Sequence, residues 1–446
     1  MTLRTALDRT ILLMRDIAGD EVADDTLLNM LTTTRIALIA DNENITSHSA
    51  QSAFVSAALL MGRSGHDVHL ISPDCPLIGP QIPLSGGGLV ESLLDAGNRM
   101  LPDVSFRAGA DGKEYDLALA LGDAPITVPA YRAIRLNADP WVGYIQRASN
   151  AVRWNAQWWP LGGMCAATLG ATEAFKTAMW KLDIRKSFHV NLCALFATVN
   201  DVSFQLAPAN TPYCREIGEF DCISGGAITN AALYILSRIP GIAGRTRIFD
   251  SEIPDLSNLN RYMLLLRSDF RLAKVHDLAA VCGAKLPVIP VPSRYSAEIA
   301  RTVAPLADAI LIGVDHIPSR WEVQRANPKW LGIGATSHWD AMASFHTQGL
   351  ACAECLHPRY SPNDATIPTV AFVSFWAGLL MVSYFLRHRV VVALPPNEQY
   401  TYMTALRPEN PFRGRAATLD GCRTCAVLPP QHPSRRSIIG TNIISA

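Results

Sequence analysis

The stretch IFDSEIPDLSNLNRYMLLLRSDFRLAK (residues 248–274) decides the fold and most of the chemistry of this chain. Residues 246–249 are apolar or β-branched apart from one arginine, and they predict a short β-strand that ends at Asp250. In open α/β sheets, ligands bind just beyond the carboxyl ends of strands. An acid there can accept hydrogen bonds from ribose hydroxyls, while Arg261 and Lys274 supply the positive charge that phosphate oxygens require. The stretch therefore predicts a nucleotide site.

A glycine-rich turn precedes this strand. Residues 220–223 predict a strand and residues 231–236 an apolar helix, joined by the turn SGGAITN at residues 224–230. Its glycines are Gly225 and Gly226, whereas a serine and a threonine stand where the pattern Gly-x-Gly-x-x-Gly has its first and third glycines. Taken alone, the turn fits a strand-to-helix connection without a ligand equally well.

These residues resemble the ThiF/MoeB/HesA superfamily, which includes the adenylating domains of ubiquitin-activating (E1-type) enzymes. The family pattern is a glycine-rich turn, Asp-x-Asp, Ser-Asn-Leu-Asn-Arg, a lysine thirteen residues after that arginine, and a later aspartate near a strand end. Here Asp250 lies eleven residues before Arg261, and Lys274 lies thirteen after it. Asp315 follows an apolar strand predicted over residues 309–314. The resemblance implies an α/β fold with Rossmann-like adenylation domains.

The resemblance also implies ATP and Mg²⁺ as cofactors. Asp250 would hold the ribose, Asp315 would hold the magnesium ion, and Arg261 and Lys274 would neutralise phosphate charge. The implied ATP-binding residues are Gly225, Gly226, Asp250, Glu252, Asn258, Arg261, Lys274 and Asp315.

The chain departs from the family pattern at two positions. Glu252 stands for the second acid of Asp-x-Asp, and Tyr262 stands for the glutamine that usually follows the arginine. Glutamate still accepts a hydrogen bond, but tyrosine has no amide to donate. By itself, Asp315 also fits a helix N-cap. A dehydrogenase that binds NAD is the rival interpretation of the strand, the turn and Asp250.

Two cysteine pairs form the second strong pattern. Cys352-x-x-Cys355 and Cys422-x-x-Cys425 are separated by 66 residues. Four thiolates satisfy Zn²⁺ in a closed tetrahedron, so the spacing predicts a structural zinc site in preference to a redox pair. In the superfamily that the chain resembles, similarly spaced pairs hold a structural metal. The other six cysteines show no paired spacing, which is typical of reduced thiols.

The first half of the chain repeats the order of elements in the second half. Strands are predicted over residues 35–40, 68–72 and 117–121, with a helix over 50–61, and a helix of small residues starts at Leu161. Neither Asn-Leu-Asn-Arg nor a cysteine pair occurs before residue 200. Because eukaryotic-type E1 enzymes pair an inactive with an active adenylation domain, the resemblance implies both in one chain. An unrelated Rossmann-like domain is the alternative for the first half.

This interpretation divides the chain into four segments. They are an inactive adenylation-like domain (1–185), an active domain (186–355), a crossover with a buried helix and the second cysteine pair that completes the active domain (356–426), and a tail (427–446). Residues 8–13, DRTILL, resemble the opening helix of the family. In that comparison Arg9 reaches the ATP phosphates of the other domain. A solvated helix charge is the alternative for Arg9.

The reaction implied by the resemblance is adenylation of the C-terminal carboxylate of a ubiquitin-like protein, with release of pyrophosphate. E1-type enzymes usually carry a nucleophilic cysteine after the first cysteine pair, but residues 356–421 contain none. Thr366 falls near that place, with Asp364 or His357 as the local candidate base for an oxyester. Alternatively, the chemistry stops at the adenylate, as in MoeB-like enzymes.

The implied partners are a ubiquitin-like protein and an E2-like protein, as in bacterial ubiquitin-like conjugation operons, some of them linked to antiviral defence. The alternatives are a sulfur-carrier adenylyltransferase of the MoeB/ThiF type and a catalytically silent adenylation scaffold. The chain would be a monomer with an internal pseudo-dimer, or a homodimer.

Composition indicates a cytoplasmic enzyme. The chain has 446 residues, 39 basic and 39 acidic side chains, and no apolar signal-peptide core at its amino terminus. A balanced charge gives a nucleic-acid partner no electrostatic support. Residues 370–386 carry no charge and approach the length of a membrane span, but they include serines and a glycine. We predict a buried helix there, and no membrane partner.

Overall fold

The structure is a computed structural model. It describes residues 2–19, 22–181, 196–266, 272–283, 285–303, 305–359, 367–390 and 397–428. Two mixed sheets account for the strands. The first sheet contains β1 (Arg35–Ile39), β2 (Asp67–Ile71), β3 (Phe106–Ala108), β4 (Tyr115–Leu121), β5 (Ala130–Asp139), β6 (Val142–Arg147) and β7 (Val202–Gln205). The second contains β8 (Glu216–Ile223), β9 (Ala243–Phe249), β10 (Val288–Val291), β11 (Ala309–Ile312), β12 (Trp330–Ser337), β13 (Asp340–Thr347), β14 (Tyr400–Thr404) and β15 (Phe412–Gly414).

The helices follow the same division. Those of the first half are α1 (Leu3–Ala6), α2 (Asp8–Ala18), α3 (Asp24–Thr32), α4 (His48–Arg63), α5 (Leu89–Met100) and α6 (Leu161–Trp180). Those of the second half are α7 (Ala227–Leu236), α8 (Lys274–Cys282), α9 (Ala297–Thr302), α10 (Ile317–Arg325), α11 (Ala353–Leu356), α12 (Ala371–Arg389) and α13 (Arg423–Val427), with a 3-10 turn at Leu256–Asn258.

The two sheets share one strand order. The first runs β3-β2-β1-β4-β5-β6-β7 and the second β10-β9-β8-β11-β12-β13-β14-β15. In each sheet the first five strands of that order are parallel, and the following strands are antiparallel. The predicted α/β fold with two Rossmann-like halves is therefore confirmed. The boundary predicted between residues 185 and 186 lies outside the described residues, and β7 beyond it still pairs with the first sheet.

Several predicted elements differ in extent from the observed ones, and two of these differences lie beside the strand ends of the second sheet. Helix α7 begins at Ala227, four residues before the predicted start, because Asn230 lies inside the helix with its side chain buried. The Asn230 Oδ1 accepts a hydrogen bond from the Leu264 amide at 3.0 Å, so this buried polar side chain has a partner. The apolar pattern places Asn230 outside the predicted helix. Strand β11 ends at Ile312, two residues early, where the chain turns into the loop that carries Asp315.

Helix α12 confirms the buried helix predicted over residues 370–386. Its residues from Ala371 to Arg387 are all buried. Among the described residues, α12 is the one helix long and apolar enough to cross a membrane, but 94% of that window is covered by protein. Aromatic contacts join it to the first half, since the Phe372 ring lies 5.4 Å from that of Phe175 and the Trp376 ring lies 4.8 Å from that of Phe204.

We expect a methyl group at Gly378 to destabilise the protein, because α12 and α7 approach each other most closely there. A Cβ at Gly378 would lie 2.6 Å from the Cβ of Ala231 and 3.0 Å from the Ile228 carbonyl oxygen. Gly378→Ala should lower the free energy of unfolding by about 1 to 3 kcal/mol, measured by chemical denaturation. Gly87→Ala is the control, since its Cβ would meet nothing within 4 Å. Equal stability of the two variants would contradict this packing.

Candidate functional site

The carboxyl ends of the parallel strands in the second sheet open onto a cleft of about 760 Å³. This volume lies within the usual range of small-molecule sites. Eight of the residues predicted from sequence line it: Arg9, Gly226, Asp250, Glu252, Asn258, Arg261, Lys274 and Asp315. Gly225 is the ninth predicted residue that the structure describes, and its amide is hydrogen-bonded to Asp250. Thr366 lies outside the described residues, as does Asp364.

The glycine-rich turn is held by the acid that ends β9. The Gly225 amide donates to Asp250 Oδ2 at 2.7 Å, and the Glu252 amide donates to Asp250 Oδ1 at 2.8 Å. Ser224 adopts φ 85°, a left-handed conformation that favours glycine, and its Oγ accepts from the Gly226 amide at 3.0 Å. The turn therefore has a positive-φ residue, here a serine, where the pattern has its first glycine. It aims the N-terminus of α7 at the cleft, where free amides favour an anion.

The Asn-Leu-Asn-Arg segment is fixed by its own side chains. Asn258 Oδ1 accepts from the Asp255 amide at 3.1 Å and closes a capping box around the 3-10 turn. Arg261 is buried, and its Nη1 donates to the Ser257 carbonyl at 2.6 Å and to Asn260 Oδ1 at 2.8 Å. Burial lowers the pKa of Arg261 to about 10, so its guanidinium stays charged at neutral pH.

Asn260 is a residue of this motif to which the sequence assigns no separate role. Its Nδ2 donates to Thr10 Oγ1 at 2.9 Å and to the Thr369 carbonyl at 3.3 Å, while its Oδ1 receives Arg261. The asparagine is fully buried. It therefore orients Arg261 against helix α2 of the first half. Its hydrogen-bond partner Thr10 lies 250 residues away along the chain, so the sequence does not predict this contact.

The contacts of Tyr262 show what a tyrosine does at the position where the family pattern has glutamine. Its ring centroid lies 5.5 Å from Arg261 Cζ and 5.4 Å from Lys274 Nζ, within the range of cation–π contacts. The Lys274 ammonium also pairs with the Glu252 carboxylate. Burial works against the charge of Lys274, but Tyr262 and the carboxylates of Glu252 and Asp250 outweigh it and raise the pKa of Lys274 to about 12. The tyrosine thus holds two cations where glutamine would donate an amide.

Asp315 is exposed, lies in the loop after β11 and lines the same cleft. Arg320 anchors this loop, because its Nε and Nη2 donate to the Val314 carbonyl at 3.0 and 2.8 Å. Burial lowers the pKa of Arg320 to about 10, and Asp315 opposes that shift. Arg294 and His316 add further polar groups to the rim, with Arg294 Nη2 3.3 Å from His316 Nδ1. Arg294 follows β10, and its place at a strand's carboxyl end is the signal that could have revealed it.

Arg9 reaches the same cleft from the first half. It lies in the first turn of α2, and its Nη1 donates to the Ile367 carbonyl at 3.3 Å. Its Nε is buried, and the described residues offer it no hydrogen-bond acceptor. The Thr369 amide, in turn, donates to the Arg9 carbonyl at 3.2 Å. The structure therefore brings Arg9 to the cleft lined by Arg261 and Lys274, as the interpretation of α2 required.

The corresponding edge of the first sheet is closed by its own side chains. Asp123 follows β4 as Asp315 follows β11, but Asp123 Oδ1 accepts from Asn44 Nδ2 at 2.7 Å. Asn44 Oδ1 accepts from the Trp154 amide at 2.9 Å, and a Cβ at Gly122 would lie 2.1 Å from that same oxygen. The side chains of Asp123 and Asn44 are thus hydrogen-bonded within the first half. The inactive role predicted for this half stays a prediction.

The two cysteine pairs meet at one point. The Sγ atoms of Cys352, Cys355, Cys422 and Cys425 all lie within 4.8 Å of one another, with neighbouring pairs at 3.4 to 3.6 Å. Zn–S bonds of about 2.3 Å in a tetrahedron place sulfurs about 3.8 Å apart, whereas a disulfide needs about 2.0 Å. The geometry therefore fits four thiolates around Zn²⁺.

Backbone amides support this cluster. The Leu419 amide donates to Cys355 Sγ at 3.4 Å, and the Cys425 amide donates to Cys422 Sγ at 3.5 Å. Such N–H···S contacts stabilise thiolate ligands. The Thr424 amide donates to Glu354 at 2.8 Å and ties α13 to α11. With four sulfurs and no open position among them, the arrangement suits a structural metal.

The paired sheets, the cleft and the tetracysteine cluster define an α/β protein with two Rossmann-like halves. Residues 35–190 match the family model described as the BilD N-terminal domain. The chain is also similar to "Uncharacterized protein y4jF" of Sinorhizobium fredii, at 26% identity over 262 residues. That match covers 57% of this chain and 49% of the relative, or about half of the relative's length.

Solved structures of Escherichia coli MccB are similar in part. MccB alone has a TM-score of 0.41 and 15% identity, over 49% of this chain and 68% of MccB. MccB with AMPCPP and MccA has a TM-score of 0.39 and 17% identity, over 47% and 66% of the two chains. MccB with MccA-N7isoASN has a TM-score of 0.39 and 13% identity, over 66% and 97%. At TM-scores this low, nothing about the cleft follows from the likeness.

We expect the purified chain to contain one zinc ion held by the tetracysteine cluster. Cys422→Ser should lose the metal and several kcal/mol of stability, because binding free energy at structural zinc sites becomes folding free energy. Elemental analysis and thermal unfolding measure the two effects. Cys75→Ser is the control, since Cys75 lies outside the cluster. An unchanged zinc content in Cys422→Ser would show that the cluster does not hold the metal.

Proposed function

We propose that this chain is an ATP-dependent adenylating enzyme that activates the C-terminal carboxylate of a ubiquitin-like protein. The observation that carries the proposal is the convergence of three cations, Arg9, Arg261 and Lys274, with the N-terminus of α7 on one cleft that also holds the carboxylate of Asp315. Cations and free amides suit a triphosphate, and an exposed carboxylate in the same cleft suits its magnesium ion.

Different residues of the cleft would contact different parts of the nucleotide. Bound MgATP would supply the α-phosphorus and the pyrophosphate leaving group. Asp250 would use the remaining lone pairs of its carboxylate oxygens for the ribose, since the Gly225 and Glu252 amides each occupy one. Arg261 and Lys274 neutralise phosphate charge, and Asp315 binds the magnesium ion on the open side. Because the cations are preorganised by Asn260 and Tyr262, they need little rearrangement when charge develops.

The substrate tail would enter beside the start of α12. The cleft lining there includes Ala335, Thr336 and Ser374, whose side chains are small. The carboxylate of that tail attacks the α-phosphorus, a bond forms from carboxylate oxygen to phosphorus, and pyrophosphate leaves. The acyl group would then pass to a nucleophilic group of an E2-like protein, either directly or through the hydroxyl of Thr366, and AMP would leave when the acyl-adenylate is attacked. A bacterial ubiquitin-like conjugation pathway is the setting that we propose.

We expect Asp315→Ala to lower ATP–pyrophosphate exchange by about two to three orders of magnitude with a genuine ubiquitin-like partner. The change removes the proposed magnesium ligand and leaves the buried anchor Arg320 in place. Asp123→Ala, the equivalent position in the first half, is the matched control and should keep exchange. Full exchange by Asp315→Ala would refute the magnesium role. Wild-type protein that exchanges with none of the candidate partners would favour a silent scaffold.

We expect Arg9→Ala to lower the rate of exchange by about 100-fold, because one of the three cations at the triphosphate is lost. Steady-state exchange at saturating MgATP measures the effect. Arg4→Ala is the control, since Arg4 lies in the same terminal segment but pairs with Asp24 and Asp25 at the surface. If Arg9 is only a solvated helix charge, the two variants will exchange at the same rate.

A further inference from the structure

We infer that Arg63 of the first half is a positioning residue that holds the backbone of the nucleotide-binding segment in the second half. The importance of Arg63 for catalysis rests on the proposed function. Its structural role rests on the observed contacts alone. Arg63 is the last residue of α4, and its side chain is fully buried. It belongs to the half whose own sheet edge is closed.

The Arg63 guanidinium binds three carbonyl oxygens of one segment. Its Nη1 donates to the Leu259 carbonyl, and its Nη2 donates to the Leu265 carbonyl at 2.8 Å and to the Met263 carbonyl at 3.4 Å. Leu259 and Met263 lie two residues before and two residues after Arg261. The contact therefore spans the part of the chain that presents Arg261 to the cleft.

This segment lacks regular secondary structure after the 3-10 turn, so its carbonyl oxygens need hydrogen-bond donors from elsewhere. Its other anchors are Asn260, which binds Thr10, and the Leu264 amide, which binds Asn230. Two of these three anchors, Arg63 and Thr10, belong to the first half. Residues of the first half therefore contribute two of the contacts that position Arg261, alongside Asn230 and Thr369 of the second half.

The planar guanidinium is suited to this task. It presents several N–H groups in a fixed fork, whereas a lysine ammonium is a compact charge on a flexible stem. Burial lowers the pKa of Arg63 to about 9, which leaves the group charged at neutral pH. Removing it would leave three carbonyls unsatisfied in the interior, and each unmade hydrogen bond of this kind is costly. A lysine at position 63 could donate to only some of these three carbonyl oxygens.

Arg238 provides a matched control. It is also fully buried, its Nη1 donates to the Tyr234 carbonyl at 3.3 Å, and its Cζ lies 3.4 Å from the centroid of the Tyr234 ring. These contacts are local to the end of α7 and do not involve residues 256–265. Loss of Arg238 should therefore lower stability without releasing the nucleotide segment.

The test compares Arg63→Met, Arg63→Lys and Arg238→Met by hydrogen exchange and by calorimetric titration with MgATP. We expect faster amide exchange over residues 259–265 and MgATP binding weakened by about 10- to 100-fold in Arg63→Met. Arg63→Lys should give intermediate values and carries the test if Arg63→Met does not fold. Arg238→Met should lower the thermal midpoint and leave both readouts at wild-type values.

The outcomes separate this inference from the proposed function. Hydrogen exchange over residues 259–265 needs no ATP, so it tests Arg63 even if the wild-type chain binds none. Exchange and MgATP affinity that are the same in the Arg63 variants as in Arg238→Met would overturn the positioning role. Failure of the wild type to bind MgATP, together with faster exchange in Arg63→Met, would refute the proposed function and keep the structural contact.

Discussion

The structure depends on three helices that are covered on all sides. Every residue of α4, nearly every residue of α6 and Ala371 to Arg387 of α12 are buried. Helices of this kind have no face that water could cover, so they must lie between two layers. Helices α4 and α6 belong to the first sheet, and α12 belongs to the second. The two halves therefore share one hydrophobic core.

This shared core determines how the cleft is built. The second sheet provides the strand ends, the glycine-rich turn and the acids, as an open α/β sheet does in general. The first half provides Arg9 as a cation, Thr10 as a partner for Asn260, and Arg63 as a donor to the nucleotide segment. Its own sheet edge is closed by Asn44. The second half thus supplies the strand ends of the cleft, and the first half supplies contacts that shape it.

The sequence revealed what depends on local order and spacing. Strand ends, the offsets among Asp250, Arg261 and Lys274, and the two cysteine pairs are all set by positions along the chain. It did not reveal Arg63, whose partners lie about 200 residues away, because an arginine at the end of a helix is ordinarily a surface residue. The role of Tyr262 was also hidden, since a ring between two cations is visible only in three dimensions.

The tetracysteine cluster joins parts of the chain that are made at different times. Cys352 and Cys355 precede α12 and β14, whereas Cys422 and Cys425 follow them. A ribosome that adds about 5 to 20 residues per second delivers the second pair on the order of 4 to 14 seconds after the first. During that interval the first two thiols lack the partners that complete the four-cysteine cluster. Helix α12 and strand β14 are therefore synthesised before the cluster can be completed.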